Sequence, residues 1–165
     1  VAKGFESGSS KIPVIAAGGI FDGKDIAKFI RLGASGVQMG TRFVCTHECD
    51  VALEYKETYL AAKQEDIVVI QSPVGMPGRV IRNEFVKRII QGARIDFDCQ
   101  YHCLYTCDPK KVNYCIAKAL LFASRGQMDK GFAMCGSNAY RIQKIVSVKE
   151  LISELVVQAR AILRT

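Results

Sequence analysis

Apolar residues in this chain gather into short runs that end on glycine, with polar residues between them. Residues 13–17 (Pro-Val-Ile-Ala-Ala) run into Gly18-Gly19, and residues 36–39 (Gly-Val-Gln-Met) run into Gly40. Short β-branched runs without strict alternation predict strands buried on both faces, as in a parallel sheet. Between them Asp22 is placed to cap a helix over 23–32, with Ile26, Phe29 and Ile30 on one face and Gly33 as its stop. The three pieces make one βαβ unit. Thr46 is then expected to cap a longer helix reaching about residue 63, with Val51, Tyr55 and Tyr59 at helical spacing. The apolar stretch 67–70 is expected to be a third parallel strand.

Past residue 71 the pattern changes. Residues 72–79 are rich in Pro and Gly and predict a loop, followed by a helix over 83–91. Asp108 with Pro109 at the first helical position predicts a helix to about residue 124, lined by Ile116, Ala119, Leu120 and Ala123. Ser147 and Glu150 form a Ser-x-x-Glu capping box for a last helix with Leu151, Ile152, Leu155, Val156 and Ala159 inward. The small polar residues 6–10 predict a loop. The chain therefore reads as β/α units over 1–72, then a loop and helical region over 73–165. Three parallel strands cannot close a barrel, so both strand edges would need partners, and self-association through them is an expectation.

Glycines at the C-terminal ends of consecutive parallel strands leave backbone N–H groups open to an anion. Many (β/α)8 barrels build a phosphate site after their last two strands in this way, so a bound phosphorylated cofactor is the first expectation. Composition narrows the class. With 49% apolar and 24% charged residues the chain reads as a soluble globular protein. No apolar run approaches the ~20 residues of a membrane span and no leader opens the chain, so a cytoplasmic protein without membrane contact is expected. The net charge of +7 favours anionic ligands, but Lys and Arg are scattered without a recognition motif, and no nucleic-acid partner is expected.

Four separated segments carry a resemblance: 12–20 (IPVIAAGGI), 33–43 (GASGVQMGTRF), 73–79 (PVGMPGR) and 135–141 (CGSNAYR). Together, in this order, they resemble the nitronate monooxygenase family, once called 2-nitropropane dioxygenases, over essentially the whole chain. That family is similar to the FMN-dependent enoyl-acyl-carrier-protein reductases. The resemblance implies an α/β fold, the C-terminal portion of a TIM (β/α)8 barrel with its last parallel strands, followed by a helical subdomain. It implies FMN as cofactor, with Gly18, Gly19, Gln38, Gly40 and Thr41 holding the phosphate. The implied reaction is oxidative denitrification of alkyl nitronates with O2; the alternative is an FMN- and NAD(P)H-dependent enoyl-ACP reductase acting on an acyl thioester. The family's catalytic histidine lies in a Gly-Gly-His region that would precede Val1, so no catalytic residue is assigned here and this piece alone is expected to be inactive.

Neither His47 nor His102 stands in such a motif, and His47 is expected on the surface in the first turn of a helix. Arg42 is read either as a cationic contact to the cofactor or as an ion-pair partner. Met76 and residues 75–79 are read as a cover over the site or as a plain connector.

Seven cysteines, an odd number, argue for reduced thiols over a disulfide framework. Cys99, Cys103 and Cys107 are four apart, Cys115 follows eight later, and His102 lies among them. Gathered thiolates can bind zinc or an iron–sulfur centre. The spacing matches neither zinc ribbons nor ferredoxins, and on a helix it would simply put buried thiols on one face. No metal is assigned; a non-catalytic Cys module binding metal and nucleic acid is the reading from a different class. Cys135 is expected to be a small apolar residue in a turn.

Overall fold

The computed structural model describes residues 6–7, 10–99, 102–103, 105 and 107–164. They form two compact units, residues up to 49 together with 144 onward, and residues 50–143.

In the first unit β1 (Glu6–Ser7) and β2 (Ser10–Lys11) pair antiparallel where a loop was expected; residues 8 and 9 of that expected loop lie outside the described residues. β3 (Ile15–Ala17) and β4 (Gly36–Gln38) are parallel, in register Ile15 with Gly36 and Ala17 with Gln38. β3 is shorter than the apolar run because Pro13 has no N–H to give a ladder. The crossover is α1 (Gly23–Arg31). Its cap is reciprocal: the Asp22 carboxylate accepts from the N–H of Lys24 at 3.0 Å and Asp25 at 3.1 Å, while the Asp25 carboxylate accepts from the N–H of Phe21 at 2.9 Å. Gly33, with φ +98°, lets the chain leave the helix as the sequence predicts.

Thr46 does not cap a long helix. A single turn, α2 (Thr41–Val44), comes first; the Thr46 hydroxyl donates back to the Phe43 carbonyl at 2.8 Å and its backbone bridges Val146 in parallel. With hydroxyl and backbone so engaged, Thr46 closes one element and opens none. His47 accordingly lies outside any helix, exposed, its N–H donating to Val146 O at 3.0 Å.

α6 (Val148–Leu163) packs along α1 and carries the predicted capping box: the Ser147 hydroxyl accepts from the Glu150 N–H at 3.1 Å, and Glu150 accepts from the Ser147 N–H at 2.8 Å. Leu151, Leu155 and Ala159 are buried, but Ile152 and Val156 are 48% and 40% exposed. A helix lying against one neighbour buries only a narrow i, i+4, i+8 stripe, so the apolar face read from sequence is wider than the covered one. Val146, Leu151 and Leu155 form a core with Ile26, Met39 and Phe43 packed against it.

The two hydrogen bonds from Ser147 hold the Glu150 carboxyl below its ordinary value of 4.5. A depressed folded-state value contributes stability above pH 4.5 that is lost as pH falls through the folded value. We expect the thermal midpoint to fall between pH 6 and pH 3, less steeply in Ser147→Ala than in the wild type. Parallel midpoints for the two proteins across that range would contradict the assignment.

In the second unit α3 (Leu53–Ala61) starts at Ala52 without a side-chain cap. Its Tyr59 is fully buried, the hydroxyl donating to Met134 O at 2.5 Å. The run 67–70 is not a third parallel strand. It lies in β5 (Ile67–Gln71), antiparallel to β6 (Pro77–Ile81) in register Ile67 with Ile81 and Gln71 with Pro77. Apolar continuity marks burial without fixing direction, and the tight turn at 72–76, with Gly75 at φ +86°, decides for a hairpin. Residue 72 falls in that turn.

α4 (Glu84–Ile90) is capped by Asn83, whose side chain accepts from the Val86 N–H at 2.9 Å. The next helix begins later than expected. Asp108 supports one turn, its carboxylate accepting from the Lys110 N–H at 3.0 Å, and the chain then leaves helical bonding as Asn113 O accepts from the Ile95 N–H at 2.7 Å. α5 is therefore Ile116–Ser124, with Ala119 and Ala123 buried as the stripe predicts. The core holds Ile70, Val80, Phe85, Val86, Ile89, Tyr114, Ala119 and Phe132. Tyr114 stands edge-on to Phe85 and Phe132, centroids 5.7 and 5.9 Å away. The fold is thus α/β, with one parallel strand pair among the described residues and a helical C-terminal half. No described helix is long and apolar enough to cross a membrane.

Candidate functional site

The five residues expected to hold a phosphate all belong to the first unit, at the C-terminal ends of β3 and β4. Ala17 pairs with Gln38, so Gly18 and Gly19 continue one strand where Met39 and Gly40 continue its neighbour. Gly18 and Gly19 take φ +85° and +70°, which bends the chain from β3 toward α1. Gly40 is different. Its φ of −105° and ψ of −63° suit any residue, and a Cβ built there meets nothing within 4 Å among the described residues. Neither backbone conformation nor crowding among the described residues therefore requires glycine at position 40. A Cβ on Gly18 also points into open space. Gln38 is exposed, and Thr41 opens α2 half-buried.

Arg42 links the two glycine loops. Its guanidinium lies over the Phe21 ring, 4.6 Å from the centroid, and 3.8 Å from the Glu154 carboxylate. The residue is buried, and its Nε has no hydrogen-bond partner among the described residues. The ion-pair reading of Arg42 is thereby realised, with a stacking role that the sequence did not signal. A buried cation over an aromatic face contributes about 0.5–2 kcal/mol.

Other singled-out residues fall in the second unit. Residues 75–79 are the turn and opening of the β5–β6 hairpin, where a loop was expected. The Cys135 N–H donates to the Arg79 carbonyl at 2.9 Å, and burial pushes its thiol up to about 11, which matches an inert residue. Cys99, Cys103, Cys107 and Cys115 line one small cavity with His102, and none of these five residues lies in a helix. Residues 100, 101, 104 and 106 lie outside the described residues. Burial first, then the neighbouring Cys99, Cys103 and Cys115, pushes the Cys107 thiol up. An open cleft of about 420 Å³, lined by residues 69–73, 89–90 and 111–114, had no sequence signal because its walls come from three distant stretches.

The family model for nitronate monooxygenase matches residues 2–158. This chain belongs to the nitronate monooxygenase family. Its match takes in both glycine loops and the cysteine segment. Over 83 residues, half of this chain and 23% of the relative, it is 47% identical to the (3aS,4S,5R,7aS)-5-hydroxy-7a-methyl-1-oxo-octahydro-1H-indene-4-carboxyl-CoA dehydrogenase of Mycobacterium tuberculosis. It is 44% identical over 78 residues to a probable nitronate monooxygenase of Staphylococcus saprophyticus, covering 47% of this chain and 22% of that one. FabK from Thermotoga maritima superposes with TM-score 0.76 at 34% identity, over 94% of this chain and 47% of FabK. A nitroalkane oxidase of Streptomyces ansochromogenes shares the fold at TM-score 0.69 and 22% identity, over 93% of this chain and 40% of that one. The matched part is thus under a quarter of these curated relatives and under half of these solved chains.

Proposed function

We propose that this chain is the FMN-phosphate-binding C-terminal portion of a (β/α)8-barrel oxidoreductase that denitrifies alkyl nitronates with O2. The observation that carries this reading is Gly40, a glycine at the end of a parallel strand that packing among the described residues does not require, beside the Gly18-Gly19 bend. A cofactor phosphate lying against the backbone gives that absence of a side chain its reason. The Nε of Arg42, next to Thr41 in the chain, adds a buried donor without an acceptor among the described residues. Backbone N–H groups of Gly18, Gly19, Gly40 and Thr41, the Thr41 hydroxyl and the Gln38 amide would hold the group. FMN, when bound, supplies the redox chemistry. The chain's residues place it: Arg42, seated on Phe21, keeps the two glycine loops together, and α1 and α6 brace them from behind.

A second reading has its own support. The likeness to FabK favours an FMN- and NAD(P)H-dependent enoyl-ACP reductase, and the dehydrogenase relative's name carries an acyl-CoA substrate. The intact protein, purified and assayed with an alkyl nitronate in air, is expected to show flavin absorbance and to release nitrite. This portion alone is expected to release none. Anaerobic NADH oxidation with crotonyl thioester, without nitronate turnover, would replace the first reading by the second. A purified protein that neither retains nor rebinds FMN would overturn both.

A further inference from the structure

A closed circuit of contacts joins the two glycine loops to α6. Phe21, in the stretch that follows Gly18-Gly19, carries the Arg42 guanidinium 4.6 Å from its ring centroid. Arg42 Nη2 lies 3.8 Å from Glu154 Oε2 on α6, and the Gln158 amide, one turn further along that helix, donates to Glu154 Oε1 at 3.1 Å. Gln158 Oε1 in turn accepts from the Gly23 N–H at 3.0 Å. Gly23 opens α1, and the Asp25 carboxylate, accepting from the Phe21 N–H at 2.9 Å, returns the circuit to its start.

Each link has a chemical reason. The Gly23 N–H can only donate and the ionised Glu154 can only accept, so the side chain between them must accept at one end and donate at the other, as an amide does. Glutamate at position 158 would set like charges one turn apart, and an apolar residue would satisfy neither partner. Gly23 permits the approach: a Cβ there would collide with the Gln158 Cβ and lie 2.5 Å from the Ala159 nitrogen. The neighbouring N–H groups of Lys24 and Asp25 go to the Asp22 carboxylate at 3.0 and 3.1 Å. The N–H groups of residues 23, 24 and 25 are thus all engaged within the chain, so α1 contributes the placement of its loop and not these donors to an anion.

We propose that Glu154 and Gln158 are positioning residues for the phosphate site proposed above. Through Arg42 they hold the loop after β4, and through Gly23 the loop after β3, so one face of α6 sets the spacing of the backbone N–H groups that grip the phosphate. Arg42, seated on Phe21 and drawn by Nη2 toward Glu154, is fixed in this circuit with its Nε lacking a partner among the described residues. Donors placed beforehand bind more tightly than donors that must be ordered on binding.

The test measures FMN and riboflavin affinity of the intact protein by flavin fluorescence. Riboflavin lacks the phosphate, so its binding does not draw on the two loops. Gln158→Met keeps the side-chain length and removes both hydrogen bonds. It is expected to weaken FMN binding about tenfold, the scale of one lost hydrogen bond, and to leave riboflavin binding unchanged. Glu154→Gln, at a side chain 44% exposed, keeps an acceptor for Gln158 and removes the charge facing Arg42. It should act in the same direction with an unchanged melt, which keeps the test open if the Gln158 variant folds poorly. The double variant should bind FMN little worse than either single one, because one open link opens the circuit. Wild-type FMN affinity in both variants would overturn the positioning role and leave the phosphate reading standing. So would equal losses for FMN and riboflavin, or fully additive losses in the double variant. Unmutated protein that binds riboflavin as tightly as FMN would overturn the phosphate reading, and the positioning role with it.

Discussion

Gly40→Val is expected to weaken FMN binding by on the order of a hundredfold, about 2.8 kcal/mol at 1.4 kcal/mol per decade, with the fold intact. The expectation follows from what glycine does at this position. At Gly18, with φ +85°, any side chain strains the backbone as well as filling space, so a loss of cofactor there would have two causes. Gly40 separates them. Its conformation accepts valine and no atom of another described residue beyond its chain neighbours lies within 4 Å of the new Cβ, so stability should change by no more than about 1 kcal/mol, the scale of an altered helix N-cap. Isothermal titration or flavin fluorescence reads the affinity, and a thermal melt reads the fold. Equal FMN affinity in Gly40→Val and wild type would remove the main support for a phosphate at this place.

The glycine-ended strand pair and the helix caps around the candidate site were legible because their signals are local. A glycine after a strand, an Asp or Ser before a helix, and a Glu three residues on are all determined by neighbours within one turn, and the α1 and α6 caps appear as read. What the sequence hid depends on distant partners. The run 67–70 looks the same whether its neighbour is parallel or antiparallel, and only the turn at 72–76 chooses. Thr46 has the chemistry of a cap, but Val146, a hundred residues away, claims its backbone. Arg42 over Phe21 joins residues from two loops and leaves no spacing pattern. Asp108-Pro109 is a well-formed helix start that yields one turn, because the pairing of Ile95 with Asn113 then pulls the chain aside.

Gly131→Ala is expected to be the most destabilising of small substitutions in the second unit. Here glycine is required by the chain itself. A Cβ at Gly131 would collide with the Ala119 carbonyl oxygen, lie 2.9 Å from the Ala119 carbonyl carbon and 3.1 Å from the Ala123 Cβ. Contacts with flexible side-chain ends can relax, but Ala119 O belongs to the backbone of α5, whose Ala119 and Ala123 face is sealed into the core beside Phe132. Relief requires moving the helix, at its buried Ala119 and Ala123 face, or the buried segment 131–133 that packs on it. Overpacking of this kind costs about 1–3 kcal/mol or more, a drop in thermal midpoint on the order of 5–10 °C for a chain of this size. Trimming the other contact does not help: the double variant Gly131→Ala with Ala123→Gly should stay destabilised, because the carbonyl is still in the way and a helix glycine adds about 1 kcal/mol of its own. A melt of Gly131→Ala within about 1 °C of wild type would show that α5 and the segment carrying Phe132 pack less closely than this structure has them.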